Sequence, residues 1–464
     1  MIPDLPKTKN IFLVGIGGCG VSAIGKVLHQ MGYKVSGSDL KESSNTIRLK
    51  DLGIKVHIPH DKKNVRDTDL LVYSSAVNKT NPELLESESR GIPMVRRAEM
   101  LSWVMNRFPN RIAVAGTHGK TTTTSMIAKL LVEGGMDPTY LVGGETDSVD
   151  GNARLGKGGW AVAEADESDG SFLELDPTIS IVTNIEPDHM EYFGSVENLF
   201  KVFEEFIEKL TPDGLLVIGI DDPGCQSLLS KANRKKITYG LSPEADMIAS
   251  NLVFDGTSTR FDVHYKGKPL GEVRLTIPGE QNVVNSLAAL IVGMEAGLSF
   301  GNLATILHSF SGAKRRFQIL GEVNGVTVID DYAHHPTEIA ATLKAARLAW
   351  NGDRRIISVF QPHRFTRTFY LAEQFGGAFN DADLVILTDI YSAGETPIPG
   401  VDGKMMVDQV EKHKEVLYLP RKERIPEYLQ KIVKPNDVVI TMGAGDINTV
   451  GRELLSRLKL KHEA

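Results

Sequence analysis

Two glycine-rich segments, each closing an apolar β-like run and opening a helical one, constrain this chain more than any other feature. The first reads FLVGIGGCGVSAIG over residues 12–25, and the second reads RIAVAGTHGKTTTT over residues 111–124. A strand that turns through glycines into a helix aims backbone N–H groups at whatever anion sits before the helix N-terminus. Such a turn belongs to parallel strands with helical crossovers, because the helix must pack back onto the sheet. Two of them in one chain imply more than one sheet of this kind.

The rest of the pattern agrees. Apolar β-rich runs at 11–15, 34–37, 70–74, 112–115, 160–163, 179–183, 215–220, 326–329, 356–360, 384–388 and 438–441 alternate with amphipathic stretches such as 21–30, 121–133, 195–210, 285–296 and 337–348. So many strands exceed one open sheet of usual size. A polar, proline-containing stretch (RFPN, 107–110) and a small, basic one (SGAKRR, 311–316) mark the divisions, giving segments 1–107, 108–312 and 313–464. Between 235 and 279 the run NLVFDGTSTRFDVHY alternates apolar and polar residues, which predicts a small antiparallel insert in the middle segment. Composition excludes several classes of function. Lys and Arg number 52 against 59 Asp and Glu, a net charge of -7, so the chain lacks the field of a dedicated nucleic-acid binder. Two cysteines, Cys19 and Cys225, exclude a disulfide framework and a cysteine-based zinc site. The first ten residues, MIPDLPKTKN, carry no signal-peptide core, and no apolar span is long enough to cross a membrane. A reduced, cytoplasmic setting is expected.

In the first loop Gly15, Gly17 and Gly20 form G-x-G-x-x-G, with Gly18 between them and Asp39 at the end of the next strand. Taken alone this reads as a nucleotide-diphosphate site, with the acid placed for a ribose; a tight turn serving packing only is the alternative. Cys19 reads as a small packing residue. In the second loop the strict phosphate-loop pattern fails, since Val114 replaces its first glycine. The working half survives. Gly116 to Gly119 offer backbone donors, Lys120 reaches the β- and γ-phosphates, and the Thr121 hydroxyl suits Mg²⁺. A Thr-rich helix cap is the other reading, but a lysine at a helix N-terminus is unfavourable unless an anion faces it. The middle segment then places Glu164, Asp166, Glu167 and Asp169 at one strand end, and the sequence TNIEPDH, ending in His189, at another. Ligands of open α/β sheets gather at that edge, and hard oxygen donors suit Mg²⁺. From spacing alone His189 is a capping or structural histidine before it is a metal ligand. An NAD-dependent oxidoreductase would explain the first loop and leave the second without a use. A non-catalytic nucleotide-binding or regulatory module is a further alternative, one that would turn over nothing.

Together the segments GIGGCG (15–20), GTHGKTTT (116–123), AEADESD (163–169), TNIEPDHMEYFG (183–194), GEQNVVNSLAA (279–289), DDYAHHPTE (330–338), QPHRFTRT (361–368) and MGAGDI (442–447) resemble the Mur ligases of peptidoglycan synthesis. They span nearly the whole chain in family order. The resemblance is strongest to the branch that adds L-alanine to UDP-N-acetylmuramate. The branch that attaches a tripeptide to the same sugar nucleotide typically reads GICGT at the first loop. The resemblance implies three α/β domains: a Rossmann-like one for the UDP sugar, a central P-loop-type ATPase, and a Rossmann-like C-terminal one. It implies that ATP phosphorylates the lactyl carboxylate and that the amine of L-alanine attacks the acyl phosphate.

Residue by residue, the resemblance implies that Gly15, Gly17, Gly18, Gly20 and Asp39 bind the UDP sugar. Gly116, Thr117, His118, Gly119, Lys120, Thr121 and Thr122 would cradle ATP, and Asn282 and Asn285 would read its adenine. Arg316 and Asp331 would be nucleotide contacts from the C-terminal domain. Thr121, Glu164 and His189 would hold two Mg²⁺ ions, so Lys120, Glu164 and His189 form the catalytic set and the bland reading of His189 is overturned. His334, Arg364 and Arg367 would orient the amino acid, an Arg fork being the expected tool for its carboxylate. Without the family, His334 and His335 beside Pro336 read equally as a helix cap, and Arg364 and Arg367 as a solvated face. Two departures stand out. Gln281 replaces a histidine common in the family, and no lysine lies between Asp169 and Thr183 to supply the carbamylated lysine of sibling ligases. Glu174 or Asp176 is a candidate for comparable charge. Sites in three separate domains would have to converge to exclude water.

Overall fold

The first sheet comprises β1 (Asn10–Val14), β2 (Lys34–Ser38), β3 (Lys55–His57), β4 (Leu70–Tyr73) and β5 (Met94–Arg96), all parallel, in the order β3-β2-β1-β4-β5. The computed structural model describes residues 8–146 and 148–463; residues 1–7, read above for a leader, lie outside them. Ile11, Phe12, Leu13 and Val14 are all fully buried, so β1 is a continuous apolar run and not an alternating one, as a strand covered on both faces must be. Strand order reverses at β1, and its C-terminal end opens into the first glycine loop. That is where an open α/β sheet leaves a crevice.

The central sheet has ten strands: β6 (Asn110–Ala115), β7 (Thr139–Leu141), β8 (Ala153–Arg154), β9 (Trp160–Glu164), β10 (Ile179–Val182), β11 (Leu215–Gly219), β12 (Lys235–Gly240), β13 (Met247–Asp255), β14 (Ser258–Tyr265) and β15 (Lys268–Leu275). Their order is β15-β14-β13-β12-β11-β10-β6-β9-β7-β8, so β6 lies between β10 and β9 and again ends at a switch point, the second glycine loop. The expected antiparallel strands are present as β13, β14 and β15. Tyr239 pairs with Met247 in parallel, which joins β13, β14 and β15 to the edge of the main sheet. Their inward residues Phe261, Val263, Val273 and Leu275 are buried in the same apolar cluster as the helix Glu280–Glu295.

The third sheet comprises β16 (Gln318–Val323), β17 (Val326–Asp331), β18 (Ile356–Phe360), β19 (Leu384–Leu387), β20 (Val416–Tyr418) and β21 (Val438–Met442), in the order β16-β17-β21-β18-β19-β20. It is parallel except for the β16–β17 edge hairpin, turned at Asn324 and Gly325. The architecture is therefore three α/β domains. One apolar cluster runs across the first two, from Ile24 and Leu101 to Phe172 and Phe206. The C-terminal sheet keeps its own clusters on its two faces. No described helix is long and apolar enough to cross a membrane.

Candidate active site

The second loop leaves β6 and enters the helix Lys120–Glu133 through two glycines with positive φ, Gly116 at 126° and Gly119 at 81°. A Cβ on Gly119 would lie 2.5 Å from Asn285 Oδ1, so only glycine lets the loop press against the helix behind it. Lys120 Nζ donates to the carbonyls of Gly116 (2.6 Å) and Thr117 (3.1 Å) and to Glu167 Oε1 (2.8 Å). Burial opposes its charge, but the Glu167 and Glu164 carboxylates outweigh burial and hold its pKa above the ordinary lysine value. Thr121 Oγ1 sits 3.0 and 3.1 Å from the two oxygens of Glu164, which closes β9. Burial raises Glu167 despite Lys120, and its Oε2 is buried without a hydrogen-bond partner.

These groups face a cavity of about 110 Å³ where Lys120, Thr121, Glu164, His189, Arg316 and His334 converge. The catalytic set named from the sequence is thus brought to one place, with Arg316, His334 and Glu338 of the C-terminal domain. His189 has φ of 55° and lies 3.6 Å from both Asp188 and Glu191. Burial works against its protonated form, and the neighbouring carboxylates more than compensate. Burial pushes His334 down to about 3, so its imidazole is neutral, and Nδ1 at 2.9 Å from the Tyr332 carbonyl must carry the hydrogen. A hydroxyl, the Glu164 carboxylate and the unpaired Glu167 oxygen form a hard donor set that fits Mg²⁺.

Beside this cavity lies a cleft of about 430 Å³ reached by Thr122, Asn282, Asn285, Arg316 and Asp331. Asn282 and Asn285 fall in the first turns of the helix Glu280–Glu295, and Asn282 Nδ2 donates to the Pro278 carbonyl at 2.7 Å. Asp331 accepts from the backbone of Phe317 and Ala333, both at 2.7 Å, and burial pushes it up to about 6. Arg316 lies over the Tyr332 ring and 3.6 Å from Glu338. The C-terminal domain thus supplies one wall of the cleft.

Arg364 and Arg367 are not a solvated face. Arg364 binds Glu395 (2.6 Å) and Glu191 (2.7 Å), and the buried Arg367 holds Asp188 at 3.2 Å. Both forks therefore already grip carboxylates, and a ligand carboxylate would exchange with Asp188 or Glu191. Asp188, despite burial, is held well below the usual carboxylate range by Arg367 and His189.

The first loop opens onto a cleft of about 1130 Å³ lined by Gly15, Gly17, Gly18 and Gly20 and also by Glu164 and Asp166. Asp39 is tied to the loop: Oδ2 accepts from Gly17 N (2.8 Å) and Oδ1 from Leu40 N (2.7 Å). Cys19 is exposed, which corrects its reading as a packing residue; it is the first residue of the helix Cys19–Gln30, ahead of the turn that meets the sheet. The sequence reading missed Arg97. Its guanidinium lies 3.1 Å from where a Cβ on Gly20 would be, and it also meets Asp166 (3.2 Å) and Ser171 (3.3 Å). It missed Asp188, Glu186 and Glu338 as well, although all three fall inside the quoted motifs. Spacing gives no sign of which charges meet across domains.

Family profiles match in three segments: "Mur ligase family, catalytic domain" over residues 10–109, "Mur ligase middle domain" over 114–293, and "Mur ligase, glutamate ligase domain" over 315–445. The chain is 50% identical over 458 residues to the UDP-N-acetylmuramate–L-alanine ligase of Pelotomaculum thermopropionicum, covering 98% of this chain and 99% of that one. It is 47% identical over 461 residues to the enzyme of the same name from Geobacter sulfurreducens, covering 99% of each. The crystal structure of UDP-N-acetylmuramate-alanine ligase from Thermotoga maritima superposes with a TM-score of 0.82 at 32% identity, over 98% of this chain and 100% of that one.

Proposed function

The chain belongs to the Mur ligase family, and on that footing we propose that it joins L-alanine to the lactyl carboxylate of UDP-N-acetylmuramate with conversion of ATP to ADP and phosphate, a step of peptidoglycan precursor synthesis. One observation carries the assignment of sites. Glu164 borders both the large cleft that begins at the first glycine loop and the small cavity that begins at the second. A sugar nucleotide held by Gly15, Gly17, Gly18 and Gly20 would bring its carboxylate to the place where the γ-phosphate of ATP ends. We set the three domains at 1–107, 108–312 and 313–464, and place the enzyme in the cytoplasm.

A free carboxylate is a poor electrophile, so its oxygen first attacks the γ-phosphorus and ADP departs, leaving an acyl phosphate. The amine of L-alanine then adds to the carbonyl carbon, and the tetrahedral adduct expels phosphate to leave the amide. Both steps gather negative charge, so preorganised cations and donors supply most of the acceleration. Lys120 sits on the loop carbonyls with its charge retained, ready to meet the β- and γ-phosphate oxygens. Thr121 and Glu164 would hold one Mg²⁺, and Glu164 with His189 a second; bound there, the ions supply positive charge to the phosphate oxygens. Asn282 and Asn285 would read adenine, and Arg316 and Asp331 would close over the nucleotide. Arg364 or Arg367 exchanges its resident carboxylate for that of L-alanine. Neutral His334 accepts a hydrogen bond from the incoming amine. An assay of ADP release tests the reading: it should require UDP-N-acetylmuramate and L-alanine together, and exceed the rates with L-serine or glycine. Release that ignores the sugar nucleotide, or a change in nicotinamide absorbance in its place, would refute it.

A further inference from the structure

Above the second loop, outside the donors assigned to Mg²⁺, two imidazoles and a carboxylate meet across the seam between the central and C-terminal domains. His118 comes from the loop itself, Glu186 from the segment after β10, and His335 from the cap of the helix Pro336–Ala349. One ligand atom from each lies within 4.8 Å of the other two. Glu186 Oε2 is 3.5 Å from His118 Nε2 and 3.7 Å from His335 Nδ1. Ligand atoms ~2.0–2.2 Å from a tetrahedral ion are separated by roughly 3.3–3.6 Å, close to these spacings.

The surroundings favour an ion more than an empty contact. His118 Nδ1 lies 3.2 Å from Glu338 Oε1, so in the neutral ring Nδ1–H donates to that carboxylate and Nε2 carries a lone pair. That Nε2 is buried with no hydrogen-bond partner, and His335 Nδ1, which faces Glu186, is engaged only by a long 3.4 Å hydrogen bond from Thr337 N that an ion would displace. The Glu186 oxygen is oriented by a hydrogen bond of 2.6 Å from the Thr337 hydroxyl. A carboxylate behind one imidazole and a hydroxyl behind the carboxylate are the supports that metal ligands usually have. Two carboxylates around His118 also give the pocket the charge a dication needs; in the metal-free protein the same pair, working against burial, lifts His118 to about 9, so the ion binds by displacing the proton from Nε2.

We propose that His118, Glu186 and His335 bind a divalent cation of the zinc type, one that accepts imidazole nitrogen, and that this ion clamps the C-terminal domain onto the central one. The donor set separates it from Mg²⁺, which takes oxygen and keeps its waters. Because the ligands come from two domains, occupancy holds the seam shut and slows a cycle that has to open for release.

Co²⁺ is the probe, added to the full-length protein in excess Mg²⁺, since four-coordinate Co²⁺ with nitrogen ligands absorbs intensely in the visible and six-coordinate oxygen-bound Co²⁺ does not. The wild-type chain should bind one equivalent with the intense bands, and Zn²⁺ should displace it. His335→Gln should abolish the bands and weaken Zn²⁺ binding more than tenfold against a chelating indicator. Glu186→Gln should do the same, which keeps the test intact if either variant fails a circular-dichroism check of folding. Glu338→Gln, which removes only the support behind His118, should weaken binding by roughly 10–100-fold. His189→Ala should leave the bands in place. Absence of intense bands in the wild type, full binding by His335→Gln, or loss of the bands in His189→Ala would each overturn the proposal, the last by placing the cation at the catalytic donors.

Discussion

The two glycine loops use one backbone device and are finished by opposite means. The first, at Gly15–Gly20, lies where a single apolar cluster joins the N-terminal and central domains, with the ion pairs Arg97–Asp166 and Arg96–Glu174 at its edge. The second, at Gly116–Lys120, lies under a seam held by charges: Arg367 with Asp188, Arg364 with Glu191, and His118 with Glu338. The first loop has no lysine of its own and is met by Arg97 from another helix, whereas Lys120 is part of the second. An apolar seam fixes geometry, while an ionic seam can be exchanged group by group for ligand charge. On the proposed function, the first loop would serve as a platform for holding a ligand, and the second would become a reaction site only when a separate domain docks over it.

Lys120→Ala tests the second half of that statement and should have the largest effect. Removing a charge that meets the transferring phosphoryl group should lower turnover by roughly 10²–10³-fold, read as ADP release at saturating substrates. Affinity for the sugar nucleotide, measured by calorimetry, should stay near that of the unaltered chain. Near-normal turnover would break the comparison at once.

Arg97→Ala probes the first loop. A charge-assisted hydrogen bond is worth ~1.5–3 kcal/mol, so losing one to a phosphate should raise the KM for UDP-N-acetylmuramate by roughly 10–100-fold. The kcat should fall far less if, as proposed, the loop holds the ligand away from the reacting atoms. A fall in kcat with KM unchanged would make the first loop a reaction site too.

How much of this was legible follows the same division. The strands β1 and β6, buried on both faces, announce themselves as unbroken apolar runs, and Lys120 and Thr121 follow from the glycines beside them. The three-residue strands β3, β5 and β20 are partly exposed and too short to carry a period. The joining of β13 to β12 rests on the Tyr239–Met247 pairing, a tertiary fact without a local signature. At the sites, residue types were readable and pairings were not. Nothing near Arg367 says that its partner is Asp188, and nothing near Arg97 says that it reaches Gly20, because those encounters are set by how whole domains pack.

Acidity should sharpen the contrast between the seams. His118 is raised from 6.5 to about 9 because Glu186 and Glu338 outweigh its burial. Its contribution to docking is therefore fully present below pH 6.5 and lost as pH rises through about 9. Glu191 is lowered from 4.5 to about 2, chiefly by its hydrogen bond from His189, so its contribution is present above pH 4.5 and fades as pH falls toward 2. Asp188, despite burial, shifts the same way through Arg367. Small-angle scattering should show the C-terminal domain most firmly docked between these limits, with ATP-analogue affinity falling as pH rises past about 9. Sugar-nucleotide affinity, resting on the apolar seam, should change less over the same range. Equal losses at both sites would erase the distinction.

The smallest effect is expected at Asp39, and it decides what the acid of the first loop is for. The sequence places it to meet a ribose, yet here both of its oxygens accept from backbone amides, at Gly17 and Leu40. If its work is to hold the loop, Asp39→Asn keeps an oxygen acceptor for Gly17 N and gives up the charge and the acceptor for Leu40 N. A neutral hydrogen bond differs from a charge-assisted one by ~1 kcal/mol, so the KM for the sugar nucleotide should rise about fivefold or less, with kcat untouched. Asp39→Ala should cost more, since it leaves the Gly17 amide without its acceptor and frees the turn. If the carboxylate instead bound a ribose directly, the two substitutions would be equally harmful to affinity and indistinguishable in the stability of the ligand-free protein. A lower melting temperature for Asp39→Ala than for Asp39→Asn, in the absence of ligand, therefore assigns the acid to the loop. Identical melting temperatures with a large shared loss of affinity assign it to the sugar.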